Sequence, residues 1–294
     1  MSGLQESLKL QQVPRMKQAT LLLALTGWMD GGMVSSGTIK HMMDGRALSR
    51  VGRIEPSGFY IDNFPGPMEI AALFRPHVKY ENGLVTSFEL SSNEFYADPA
   101  ANMAFFLGKE PNLDWSGFGR CLFEACLRLG VKRIIFMGSF GGTVPHTREP
   151  RMYGSVSHSD LLPLLKQHDL TPSDYEGPGS FATYLLIESP KHEIEMLSIS
   201  VEIPGYLEGI NPLSIEAVSR RLARILDVPV NVDKLRKASN SWEQQVTEAV
   251  QKDENLAATV RKLEERYDNE LIGMKAQEDE EDSADEELSE GEEQ

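Results

Sequence analysis

The residues best equipped for chemistry follow two apolar runs. The first run, Ala19 to Leu25, leads into Gly27, Trp28, Asp30, Gly31 and Gly32. The second, Val131 to Met137, leads into Gly138, Ser139, Phe140, Gly141 and Gly142, with His146, Thr147 and Arg148 shortly after. Glycine at a strand end lets backbone amides approach an anion, and a helix start behind it adds a favourable dipole. In open α/β sheets ligands lie outside the carboxyl ends of the strands. The candidate ligand-binding residues are therefore Gly27, Trp28, Asp30, Gly138, Ser139, Gly141, Gly142, His146 and Arg148. As catalytic candidates, Asp30 would act as general base and His146 as its acid–base partner, with Arg148 and the loop amides clamping an anion.

Each motif also has a structural reading. Neither loop has the dinucleotide spacing G-x-G-x-x-G, and neither ends as a phosphate loop in Gly-Lys-Ser/Thr. Ser139 lies in Met-Gly-Ser-Phe-Gly, one glycine short of a nucleophile elbow. A triad of Ser139, His146 and Asp30 would require the three to meet in space. Glycine clusters commonly serve turns, and Arg148 beside Glu149 reads equally as an exposed ion pair. Met29, Met33, Met42 and Met43 near the first loop read as core packing. The histidines, His41, His77, His146, His158, His168 and His192, show no metal-ligand spacing, so neither metal nor cofactor is expected.

These groups need elements to hold them. The two apolar runs read as strands buried on both faces. MVSSGTIKHMMD (33–44) suits a short helix, and WSGFGRCLFEACLRL (115–129) has apolar residues at helical spacing stopped by Gly130. NMAFFLGK fits strand or helix by periodicity alone. HSDLLPLLKQHDL (158–170) reads as a helix, YEGPGSFATYLL as a glycine turn into a helix, HEIEMLSISVEIPGYL as a strand, and Asn211-Pro212 as the start of a helix to Leu226. Glu81-Asn82-Gly83 between short alternating runs signals a hairpin. The expected fold is α/β: a mixed, mostly parallel sheet flanked by helices, with a hairpin insertion and a helical C-terminal appendage.

The expected organisation is an N-terminal extension (1–17), an α/β core domain (18–231), a helical appendage (232–276) and a disordered acidic tail (277–294). The appendage carries two apolar stripes: Trp242, Val246, Ala249 and Val250, then Leu256, Val260, Leu263, Tyr267 and Leu271. Neither buries itself alone, so each needs the body or a partner subunit.

The chain has 294 residues and a formal net charge of -16, with eleven acids and no base in its last eighteen residues. No basic footprint for nucleic acid or an anionic membrane is present. Cys121 and Cys126 match neither zinc spacing nor a disulfide framework and read as core residues in a reducing cytoplasm. Leu21–Leu25 is too short to span a bilayer, and no signal-peptide pattern precedes it.

The order of LTGWMDGG, LGVKRIIFMGSFGGTVPHTREPRMYG and YEGPGSFATYLL resembles the proteasome assembly chaperone 2 family, in its bacterial and archaeal branch, over residues 18 to 230. Gly27, Trp28, Asp30, Gly138, Gly141, Pro145, His146, Thr147, Arg148, Gly177, Pro178 and Gly179 match its motifs. The resemblance implies a core similar to the nucleoside phosphorylase and peptidyl-tRNA hydrolase folds. It further implies a homo-oligomer, a trimer as the first expectation, built through the hairpin, and an assembly-chaperone-like, non-enzymatic role with protein partners. The alternative is a small-ligand-binding protein or a hydrolase- or phosphorylase-like enzyme with its site between the glycine loops. Two departures stand out. Pro204-Gly205-Tyr206 replaces the Pro-His-Tyr of many members, and the chain ends Gly-Glu-Glu-Gln rather than in the hydrophobic-Tyr-x tail with which archaeal members dock the proteasome.

Overall fold

The computed structural model describes the backbone of residues 7–291 and side chains through residue 273. In chain order the elements are β1 (Leu8–Leu10), β2 (Ala19–Thr26), α1 (Val34–Met43), β3 (Ser49–Ile54), α2 (Met68–Ala72), β4 (His77–Glu81) and β5 (Leu84–Glu89). There follow β6 (Glu94–Asp98), β7 (Met103–Lys109), α3 (Trp115–Leu129), β8 (Val131–Gly142), β9 (Met152–Val156), α4 (Leu162–Gln167), β10 (Thr171–Pro172) and α5 (Phe181–Glu188). The chain continues through β11 (Glu195–Pro204), α6 (Pro212–Leu226), α7 (Asp233–Val250) and α8 (Glu254–Gly291).

A nine-stranded sheet runs in the order β1-β3-β6-β7-β2-β8-β11-β9-β10. Its centre, β7-β2-β8-β11, is parallel throughout, whereas β6 on one side and β9 on the other pair antiparallel. Alternation along β2 explains its unbroken apolar run. Leu21, Leu23 and Leu25 pack with Phe106, Phe118 and Phe136 on one face, under α3 and α5. Leu22 and Ala24 pack with Ile39, Val218 and Leu222 on the other, under α1 and α6. Burying each such side chain contributes roughly 1.5–3 kcal/mol, so the centre of the sheet is a rigid platform for the loops that leave it. Cys121 and Cys126 are buried free thiols in this core, and burial pushes Cys121 up to about 11.

Two features depart from the reading of the sequence. The N-terminal extension supplies β1, which pairs with β3 through three residues, Leu8 opposite Ile54. An edge strand so short is held by backbone bonds and leaves little hydrophobic pattern. The region 158–170 folds as a 3₁₀ turn plus the six-residue α4, because Asp169 takes a left-handed conformation soon after it. The backbone of α8 runs on to Gly291. Residues 292–294 lie outside the described residues, as do residues 1–6.

The Asn82-Gly83 hairpin forms as expected: both residues have positive φ, 51° and 83°, which glycine adopts without strain. It forms a two-stranded sheet of its own, outside the main one. Val78 faces Phe88, and Tyr80 faces Val85.

Candidate functional site: the strand ends and their helical cover

β2 ends at Thr26, and the chain turns through Gly27, Trp28 and Met29 to Asp30. The Asp30 carboxylate accepts the amide of Ser36 at 3.0 Å, satisfying one of the free N–H groups at the start of α1. Burial pushes this carboxyl above its ordinary value, opposed by hydrogen bonds from Ser36 and Ser35. Trp28 is left 65% exposed. Gly27 approaches Glu110, whose carboxylate accepts the amide of Phe181 and so holds the start of α5; the exposed Gly177-Pro178-Gly179 turn leads into that start.

The second loop is bonded to the first. Asp30 and Ser139 form a parallel bridge, and the Ser139 amide donates to the Met29 carbonyl at 2.9 Å. The Ser139 hydroxyl donates to the Gly31 carbonyl at 2.6 Å. Gly138 packs against Met29 and Phe136, and Gly141 against Gly205. Gly142 is where the buried Glu202 carboxylate of β11 sits: a Cβ there would collide with it. Glu202 accepts from the amides of Thr143 (2.6 Å) and Val144 (3.1 Å), from the Thr143 hydroxyl, and from Arg151 at 3.3 Å. A buried, multiply bonded acid thereby shapes the turn that presents the next six residues.

Those residues lie under α7 and α8. His146 is 1% exposed. Its Nδ1 meets the Tyr206 hydroxyl at 2.7 Å and its Nε2 meets the Thr247 hydroxyl of α7 at 3.0 Å, with Trp242 edge-on beside it. Burial holds the imidazole below its ordinary pKa, opposed by Glu264. Thr147 bonds Glu264 of α8. Arg148 makes a bidentate pair with Asp268, 2.8 Å on each arm, and lies 3.7 Å from Glu264. Those bonds raise the guanidinium further and depress the Asp268 carboxyl. Tyr267 donates to the Glu149 carbonyl at 2.9 Å, while Arg151 bonds Glu270 and stacks 4.5 Å from the Tyr267 ring.

The structure thus brings Asp30 to Ser139, and His146 with Arg148 to the C-terminal helices. Among the described residues no hydrogen bond joins Asp30, Ser139 and His146 to one another as side chains. Each is engaged elsewhere: Asp30 at a helix start, Ser139 on a carbonyl, His146 between Tyr206 and Thr247. Among the same residues no group of three His, Cys, Asp or Glu is arranged to hold a metal ion, and no helix is long and apolar enough to cross a membrane.

Sequence reasoning missed Glu202, Arg151, Tyr206 and the acidic face of α8. A single acid in the apolar stretch Ile199–Pro204 was a signal for Glu202, since carboxylates are seldom fully buried without partners. Tyr206, two residues beyond β11, contacts the histidine of the earlier motif. A cleft of about 590 Å³ lies elsewhere, at the far end of α1, lined by His41, Arg46, Val230 and Lys234 among others. Asp30 caps one end of that ten-residue helix and the cleft lies at the other, about 15 Å away.

The PAC2 family model matches residues 24–250. Among solved structures, the fold is similar to that of the Mycobacterium tuberculosis unknown-function protein Rv2714, at 22% identity and a TM-score of 0.79, covering 92% of each chain. It is also similar to the Mycobacterium tuberculosis proteasome-assembly chaperone homologue Rv2125, at 22% identity and a TM-score of 0.70, covering 82% of this chain and 99% of the other. The uncharacterised protein MJ1210 of Methanocaldococcus jannaschii is 28% identical over 129 residues, 42% of this chain; the match spans 48% of that protein's length.

Proposed function

Because this chain belongs to the PAC2 family, we propose that it is a non-enzymatic protein-binding module of the assembly-chaperone type, acting in the cytoplasm as a homo-oligomer. The observation that carries this reading is the segment 64–90. Its hairpin stands apart from the main sheet and exposes Tyr80, Leu84, Val85 and Phe88, while Met68 and Leu73 earlier in the segment are exposed as well. An isolated two-stranded hairpin is marginal in water, and a segment that exposes this many large apolar side chains is suited to a protein contact. The relative described as a proteasome-assembly chaperone homologue supports the same class of role. The glycine loops support it too, since their reactive side chains are engaged by neighbouring backbone and helices rather than converging on an open pocket.

The test is native mass spectrometry of the full chain beside a Leu84→Asp/Phe88→Asp variant. The expected result is an oligomer, three subunits being the first expectation, that collapses to folded monomer in the variant. A wild-type monomer, or a small molecule retained at one per subunit in both proteins, would replace this reading with the ligand-binding alternative.

A further inference from the structure

The contact between α8 and the loop it covers has the composition of an exchangeable interface. α7 packs along α6, but α8 meets the body mainly through side chains: Glu264 with Thr147 and Arg148, Asp268 with Arg148, Glu270 with Arg151, and the Tyr267 hydroxyl with the Glu149 carbonyl. Val260 and Tyr267 are its two buried apolar anchors among the described residues. Four of these five contact positions, 260, 264, 267 and 268, fall on one helical face, with Glu270 at its edge. The ion pairs are partly open to solvent, with the Asp268 side chain 48% exposed and that of Glu270 39%. Exposed pairs are screened by salt and contribute little each, so competing carboxylates can replace them. The joint with α7 is Gln251–Asp253, and Asp253 caps α8 by accepting the amides of Asn255 and Leu256. The start of α8 is thus held by its own cap whether or not its far half rests on the body.

Lifting α8 would leave Arg148 and Arg151 without the α8 carboxylates, around the seat vacated by the Tyr267 ring between the Glu149 carbonyl and the Arg151 guanidinium. We infer that the Thr147–Arg151 surface is a receptor for an acidic amphipathic helix of a partner protein, and that α8 is its intramolecular occupant. The inference rests on the protein-binding reading and specifies the chemistry of the partner: a helix presenting an apolar residue, a carboxylate four positions on, then an aromatic and a second carboxylate. Linkage sets the consequence. A partner pays for displacing α8, so its apparent affinity is reduced by the fraction of chains in which the receptor is open. A change in α8 that loosens it and leaves the receptor unaltered therefore tightens partner binding.

The probe is a fluorescent peptide of residues 252–276 of this chain, titrated into full-length protein and followed by anisotropy. Binding to Glu264→Ala/Asp268→Ala protein should be about tenfold tighter than to wild type, because the internal competitor is weakened. Adding Arg148→Ala should abolish the gain, and raising the salt should weaken binding to the Glu264→Ala/Asp268→Ala protein, whose α8 no longer competes for Arg148. Peptide binding that ignores Arg148→Ala, or is absent from a Glu264→Ala/Asp268→Ala variant with native near-UV circular dichroism, would overturn the receptor. So would an oligonucleotide competing better than the peptide. Hydrogen exchange gives an independent check should a variant misfold. In wild type, amides of residues 260–272 should exchange faster than those of β8, and faster again at high salt; exchange only through global unfolding would overturn the detachable helix. If the hairpin still drives assembly while the peptide fails, this inference falls and the protein-binding reading stands.

Discussion

Two regions lie outside the central sheet, and they meet water in opposite ways. The hairpin region, 64–90, presents apolar side chains outward, with Phe88 59% exposed and Leu84 72%. The loop 143–151 presents His146, Thr147, Arg148 and Arg151, and every one of them is engaged by another part of the same chain. The difference is one of the force each surface needs. An apolar face is stabilised only by removing area from water, which requires a partner of matching size. A polar face is satisfied by a few directed bonds, which a single helix can provide and a competing one can take over. The first surface suits lasting self-assembly, the second an exchangeable cover.

The comparison can be broken at its foundation. Glu202→Ala would leave the amides of Thr143 and Val144 without their acceptor and remove a carboxylate from Arg151, and it should cost about 3 kcal/mol or more, seen as a fall in Tm. A loss below about 1 kcal/mol would mean that the turn shapes itself without the acid. Two aromatic truncations sharpen the contrast. Tyr267→Ala should destabilise by about 2 kcal/mol and expose α8 to protease, because that ring is buried on Arg151. Phe88→Ala should change monomer stability by no more than about 0.5 kcal/mol yet weaken assembly in sedimentation. Equal effects of the two would erase the distinction between a self-covered and a partner-covered surface.

Smaller effects test the parts. Asp30→Ala should cost about 1 kcal/mol through loss of the helix cap, and Asp30→Asn less, since an amide oxygen still accepts the Ser36 amide. Denaturant titration distinguishes the two, and an Asn variant as unstable as Ala would mean the charge itself is required. The smallest effect concerns pH. With its pKa depressed by burial, His146 binds a proton less readily folded than unfolded, although Glu264 nearby opposes the shift. The stability tied to its neutral form is complete above the unfolded value near 6.5 and is lost as pH falls through the lower folded value. A His146→Gln variant should flatten the fall in Tm between pH 7 and pH 5; an unchanged slope would assign that fall to other groups.

Much of the architecture was legible in the chain. The unbroken apolar run of β2 announced a strand buried on both faces, Asn82-Gly83 announced the hairpin, and Gly130 and Pro212 marked a helix end and a helix start. These are statements about neighbours, set by backbone geometry within a few residues. β1 was not legible because three edge residues need no periodicity. Of the candidate site, the sequence located both glycine loops and the Pro-His-Thr-Arg stretch, but not what each side chain touches. Asp30 capping α1, Ser139 on the Gly31 carbonyl and Gly142 making room for Glu202 are all consequences of strands meeting across the sheet.

The same division holds at the C-terminus. The sequence by itself determined that two amphipathic helices follow the core and that their stripes must be covered. Only the tertiary structure decided that the polar face of α8 also has a seat, with Arg148 and Asp268 joined across 120 residues. Helical period is a local property of the backbone, whereas the pairing of two distant charges depends on which strand end and which helix the completed sheet brings to the same place.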